Sequence, residues 1–268
     1  MALSALWIGP LLLLAPVVGG CAPNGDVDVG AWKCGQSVGA IDRDDAGTNP
    51  FFKGAVGSSW SAGFEAGSCD YDRVRGFCYA VGAAEYRIVE APVHSGHRAV
   101  ALAITSDSGQ ARCVREGTLP DDATYGAWFY IPAAPTSVGN WNLMHFQGGD
   151  GSGDSLQNLW DLSLEASTDG LTVAVRADSR LGNQLPTPTS TVRLPTGRWV
   201  HLEFRIRRAA DTTGAVTVLQ DGVTLLALDG IVTDDTKYGQ WYVGNLATQL
   251  SPPDSTLYVD DVSIRPAH

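Results

Sequence analysis

From Trp60 to the C-terminus, apolar and polar residues alternate in short runs broken by Gly, Pro, Asn, Asp and Ser. Alternation with period two puts successive side chains on opposite faces of an extended chain, so each run reads as a half-buried β-strand. The candidates are SAGFEA, EYRIVEA, RAVALAI, GQARCVREG, YGAWFYIP, WNLMHFQG, LWDLSLEAS, LTVAVRA, RWVHLEFRIR, AVTVLQ, VTLLAL, QWYVGNL and LYVDDVSI. No stretch sustains the i, i+3, i+4 spacing that a substantial helix would need. LWDLSLEAS and LTVAVRA meet around Asp169-Gly170, and AVTVLQ and VTLLAL meet at Asp221-Gly222, a dipeptide favoured in tight primed turns. The fold class expected from this pattern is all-β, a jelly-roll sandwich of two packed antiparallel sheets.

Parity also predicts which side chains share a surface. Trp141, Leu143, His145 and Gln147 form one set and Asn142, Met144 and Phe146 the other. Met and Phe suit a core, which turns His145 and Gln147 outward. In RWVHLEFRIR the apolar set Leu202, Phe204 and Ile206 leaves His201, Glu203, Arg205 and Arg207 outward, while Trp128, Trp160 and Trp199 sit in patterns that favour burial. Tyr242 shares the parity of Gly244, opposite Trp241 and Asn245, so its direction is open between core and surface.

The chain has 268 residues, a length that one large β domain can fill. Charged residues make up 18%, three of them are lysines, and the formal net charge is -11. Such a balance excludes nucleic acid and an anionic membrane surface as partners, since both reward a basic field. It does not exclude an acidic polysaccharide, because screening over about 8–10 Å lets a local arginine cluster set the field within a groove.

Residues 5–18 form an apolar run too short to span a bilayer, and residues 1–20 read as a signal peptide. The run ends in Val18-Gly19-Gly20-Cys21, which resembles a bacterial lipobox, so Cys21 is expected to carry a lipid anchor. The protein is then exported, lipid-anchored at the cell envelope or secreted, and it meets a membrane only through that N-terminal anchor. Residues 21–57 lack apolar periodicity and read as a tether and lead-in, followed by one domain over residues 58–268, expected to be a monomer. Cys34, Cys69, Cys78 and Cys113 remain, an even number in an oxidising compartment, so two disulfides are expected. Three pairings are possible; Cys69 with Cys78 is the expected local bridge, around an Asp70–Phe77 loop, with Cys34 joined to Cys113.

In order, GFEAG, PVHSGHRAVAL, QARCVREG, YGAWFYIP, WNLMHFQG, LPTGRWVHLEFRI, GAVTVLQDGVTLLAL, QWYVGN and LYVDDVSI resemble the strands of heparin-lyase-like and alginate-lyase-like polysaccharide lyases of the concanavalin A-like superfamily. The resemblance covers roughly residues 60–265 and is most specific in the GRWVHLEF…GAVTVLQDG block and the YVDDVSI ending. It implies β-elimination on a uronate-containing polysaccharide, with no organic cofactor. Such a reaction removes the C5 proton beside a carboxylate, so the site needs groups that neutralise the carboxylate and a base at the proton. Arg112, Arg115, His145, Gln147 and Tyr242 follow the order in which such lyases present these groups, with Tyr238 as the alternative tyrosine. Trp141 and Trp241 are candidate sugar platforms, joined by Asn245 and Arg205 as substrate-binding residues.

Jelly rolls of this look often tie their first and last strands with one structural calcium ion, and Glu65, Asp260 and Asp261 are the candidate ligands. A sandwich hydrolase is not expected, since no E-x-D-x-x-E strand is present and Asp161, Ser163 and Glu165 supply only part of one. The reading from a different class is a non-catalytic carbohydrate-binding or adhesion protein on the same scaffold, motivated by the acidic net charge.

Overall fold

The computed structural model describes residues 59–72, 76–117, 119–136, 138–149, 156–178, 181, 192–234, 236 and 238–267. The expected signal peptide, the tether through residue 57 and the cysteines at Cys21 and Cys34 lie outside the described residues.

Alternation produces strands along almost the whole described chain. In order they are β1 (Trp60–Ala62), β2 (Gly76–Val89), β3 (Ala99–Gly117), β4 (Asp122–Tyr130), β5 (Asn140–Gly149), β6 (Gln157–Ser167), β7 (Gly170–Ala177), β8 (Arg193–Leu194), β9 (Trp199–Arg207), β10 (Gly214–Gln220), β11 (Val223–Ile231), β12 (Tyr238–Thr248) and β13 (Ser255–Pro266). A short helix, α1 (Cys69–Asp72), lies between β1 and β2. Every pairing is antiparallel, and the hydrogen-bonded order runs β11-β10-β9-β4-β13-β3-β12-β5-β6-β7-β8, with β1 on β13 and β2 on β3.

This path is one sheet curled into two leaves, and β3 is where it passes from one leaf to the other. Val100–Ile104 of β3 pair with β13, whereas Gly109–Gly117 pair with β12. β2 follows β3 through the bend with a register break between Gly82 and Ala84. Gly82, opposite Gly109, holds φ at 79°, a left-handed angle that glycine takes without a Cβ penalty. RAVALAI and GQARCVREG are therefore one strand of 19 residues rather than two, because the polar segment TSDSG between them bends the chain without reversing it.

The facing sides of the leaves bury a single apolar core. Tyr125 of β4 packs edge-on against Phe146 of β5 and Trp241 of β12 at 5.0 Å each, and Phe204 of β9 meets Phe146 at 4.8 Å and Trp160 at 6.0 Å. On β9 the expected parity holds: Val200, Leu202, Phe204 and Ile206 are buried and Arg205 and Arg207 exposed. The Asp221-Gly222 turn has φ of 49° and 79°, the two positive angles of a type I′ hairpin.

Two expectations are corrected. Cys78 is bonded to Cys113, not to Cys69. The expected Asp70–Phe77 loop runs into β2, whose register sets Cys78 directly across from Cys113, which overturns the expected Cys34–Cys113 bridge as well. Cys69 is also disulfide-bonded. Trp160 is buried as expected, but Trp128 and Trp199 lie half-buried on the outward side of β4 and β9, where Trp128 is stacked between His94 at 3.7 Å and His201 at 4.8 Å. Burial lowers the pKa of His201, against an opposing effect of the Glu203 carboxylate.

Candidate active site

The outward side of the second leaf carries a row of polar side chains across adjacent strands. Register places Tyr79 of β2 opposite Arg112 of β3, Arg112 opposite Gly244 of β12, Tyr242 opposite His145 of β5, and His145 opposite Asp161 of β6. Side chains at i and i+2 share a face, which adds Gln110, Gln147 and Gln240 to the same surface.

Four of the residues expected from the sequence meet here: Arg112, His145, Gln147 and Tyr242. The Arg112 guanidinium lies 4.5 Å over the Tyr242 ring and 5.9 Å from the Tyr79 ring, and its Nη2 donates to Gln110 Oε1 at 2.5 Å. The Tyr242 hydroxyl reaches the carboxamide oxygens of Gln147, at 3.2 Å, and Gln240. Gln147 is oriented by its Nε2 donating to Asn158 Oδ1 at 3.1 Å. The His145 ring sits 5.5 Å from the Tyr242 ring. Burial raises the pKa of the Tyr79 phenol, partly offset by the adjacent Arg112 charge. Tyr242, His145 and Arg112 are 8%, 7% and 9% exposed, a setting in which charge is weakly screened.

Other expected residues lie elsewhere. Arg115 has the opposite parity to Arg112 and points to the core side, its guanidinium 3.8 Å over Trp60 and its Nη1 donating to the Tyr71 carbonyl at 2.9 Å. Trp141, Trp241 and Asn245 are fully buried and cannot stack on or bind a sugar. A β-bulge between Asn142 and Met144, with a matching irregularity between Val243 and Leu246, inverts the parity of β5. It turns Trp141 inward, where its Nε1 donates to Asn245 Oδ1 at 2.9 Å, and brings Asn142 to the His145 face. Asn245 Nδ2 in turn donates to the Leu102 carbonyl at 3.0 Å. Arg205 is exposed on β9, in the other leaf. The side chain of Tyr238 is outside the description.

Tyr79, Gln110, Asn142, Asn158, Asp161 and Gln240 complete the surface and are not among the residues picked from the sequence. Asp161 was findable, since LWDLSLEAS alternates cleanly; Tyr79 was missed because the segment between the Asp70–Phe77 loop and EYRIVEA was assigned to no strand. Gly244 is a further requirement. A Cβ there would lie 2.6 Å from the Ala111 carbonyl oxygen and 2.7 Å from Arg112 Cα, at a φ of 155°. Gly244→Ala is expected to cost about 1–3 kcal/mol of stability, measured by urea or thermal unfolding, and to displace Arg112.

Glu65, Asp260 and Asp261 do converge, on the loop before β3, but as hydrogen-bond acceptors. Asp260 Oδ2 accepts the backbone N–H groups of His94 (2.9 Å) and Ser95 (3.2 Å). Asp261 Oδ2 lies 2.6 Å from His94 Nδ1, and its Oδ1 accepts the Ser95 hydroxyl at 3.0 Å. Glu65 Oε1 accepts the N–H groups of His97 (2.8 Å) and Arg98 (3.1 Å), and these bonds, His97 foremost, hold its pKa low, while burial raises that of Asp260. These oxygens serve N–H and O–H donors, and among the described residues no group of three or more His, Cys, Asp or Glu side chains is arranged to hold a metal. The arrangement fits a hydrogen-bonded anchor for the loop better than the oxygen cage of a calcium ion.

The curled antiparallel leaves are those of a jelly roll, one face of which combines arginine, histidine, tyrosine and carboxamides. The family model described as polysaccharide lyase matches residues 66–263, and the chain belongs to that family. No curated protein matches the sequence. Among solved structures, an endo-β-1,4-glucuronan lyase from the fungus Trichoderma reesei is similar at 17% identity and a TM-score of 0.53, over 70% of this chain and 90% of that one. The PL-14 alginate lyase from Aplysia kurodai is similar at 13% and 0.54, over 79% and 99%. Alginate lyase Aly36B in complex with an alginate trisaccharide is similar at 12% and 0.56, also over 79% and 99%. At these identities the likeness carries the jelly-roll fold.

Proposed function

We propose that the protein cleaves a uronate-containing polysaccharide by β-elimination on the outward face of the second leaf. The observation that carries this reading is the convergence of Arg112, His145, Gln147 and Tyr242, four groups from three adjacent strands, on one surface. Arg112 and the free N–H of Gln147 bind the uronate carboxylate, which lowers the cost of charge developing at C5. His145 takes the C5 proton, the electron pair forms the C4–C5 double bond, and the C4–O bond breaks. The Tyr242 hydroxyl returns a proton to the leaving oxygen, so the products are a new reducing chain and an unsaturated uronate.

Lipid anchoring through Cys21 belongs to the same proposal and is supported by the apolar run at residues 5–18 followed by Gly19-Gly20-Cys21. It would hold the enzyme at an envelope surface facing external glycans.

The second reading, a non-catalytic glycan-binding protein, is favoured by the Tyr242 hydroxyl being engaged by two carboxamides and by the net charge of -11. The test is ultraviolet absorbance of the conjugated product when the domain is incubated with alginate, glucuronan, pectate and glycosaminoglycans. A rise with one polymer supports the lyase and names its substrate. Glycan binding with no rise on any polymer replaces the lyase by the binding protein.

A further inference from the structure

We infer that Asp161 is a positioning residue that fixes the tautomer of His145, holding its proton on Nδ1 and leaving Nε2 as the base. This deepens the lyase reading and rests on it for its catalytic meaning, though the tautomer itself does not.

Asp161 Oδ1 lies 2.5 Å from His145 Nδ1, and the same oxygen accepts from Asn142 Nδ2 at 2.6 Å. An ionised carboxylate can only accept, so the atom facing it must carry a hydrogen. A neutral imidazole has one N–H, and with that on Nδ1 the lone pair is left on Nε2. When Nε2 takes a proton, the carboxylate stabilises the resulting imidazolium without itself being protonated, as an orienting carboxylate does beside other catalytic histidines.

Local structure builds this pair deliberately. His145 and Asp161 are register partners on β5 and β6, and the bulge at Asn142 delivers the carboxamide that steadies the carboxylate. Arg176 of β7 stands opposite Asp161 in register, yet its guanidinium lies 3.7 Å from Glu165 and 3.5 Å from Asn140. The other charged or titratable groups on this face are Arg112 of β3, Tyr242 of β12 and Tyr79 of β2; Arg112 lies over the two tyrosine rings, and the tyrosine hydroxyls reach Gln110, Gln147 and Gln240. With 29% of its side chain exposed against 9% for His145, Asp161 keeps contact with water while the imidazole is shielded.

The first measurement is the imidazole nitrogen NMR spectrum of His145 in the wild-type protein, assigned with His145→Gln. A protonated Nδ1 and an unprotonated Nε2 in the neutral ring support the assignment; the reverse pattern, or an even mixture, overturns it whether or not the protein is active. The second is Asp161→Asn on the polymer found above. Because an Asn can present its N–H to Nδ1 and invert the tautomer, kcat is expected to fall about 100-fold or more with KM little changed. Loss of the negative charge also moves the acidic limb of the pH–rate profile to lower pH. Wild-type kcat and an unmoved limb in this variant overturn the role of Asp161. A wild-type protein inactive on every polymer instead removes the lyase reading, and leaves the tautomer result standing.

Discussion

His145→Ala is expected to lower kcat on the cleaved polymer by about 10²–10⁴-fold, the contribution of a positioned general base. Absorbance of the unsaturated product under saturating substrate is the measurement. KM should change little, because the carboxylate of the substrate is held by Arg112 and Gln147 rather than by the imidazole. Folding should survive, since Asp161 keeps its bond from Asn142 and stays partly hydrated when the ring is removed. An unchanged thermal midpoint with lost turnover identifies the imidazole as chemical machinery. If the variant turns over like the wild type, the base lies elsewhere, and the phenolate of Tyr242 becomes the group to test.

Much of this surface was legible from alternation, and the failures share one cause. Parity counts correctly along an unbroken strand: it put Leu202, Phe204 and Ile206 of β9 in the core and His145 and Gln147 on the outward face. It fails wherever a bulge adds a residue. Trp141, four positions before His145, was placed on the same face, and the Asn142 bulge sends it to the core instead. Alternation also says nothing about where a strand bends rather than ends, so β3 was split in two and the first half of β2 was assigned to no strand. That gap concealed Tyr79 and the register that sets Cys78 across from Cys113. Asp161 shows a different limit. Its position on β6 was readable, but its value comes from lying opposite His145, a register that only the folded pair displays. The residues before 59, including the proposed lipid site, stand outside this comparison.

Trp241 provides the sharpest contrast between a residue type that suits sugar binding and the place it occupies. Its ring is fully buried between the leaves, 5.0 Å from Tyr125 and 6.3 Å from Phe146, and its Nε1 has no partner among the described residues. The interaction that Trp241→Ala removes is therefore packing, at a site closed by both leaves where the cavity cannot collapse. A loss of about 3–5 kcal/mol is expected, out of a total stability on the order of 5–15 kcal/mol for a domain of this kind. In a thermal melt this is a drop of roughly 6–20 °C for a domain of about 200 residues. Trp241→Phe retains most of the ring volume and no hydrogen bond is lost, so it should recover most of that stability. A sugar platform would behave in the opposite way, losing glycan affinity in Trp241→Ala at an unchanged melting temperature, and that result would mean that Trp241 faces the ligand rather than the core.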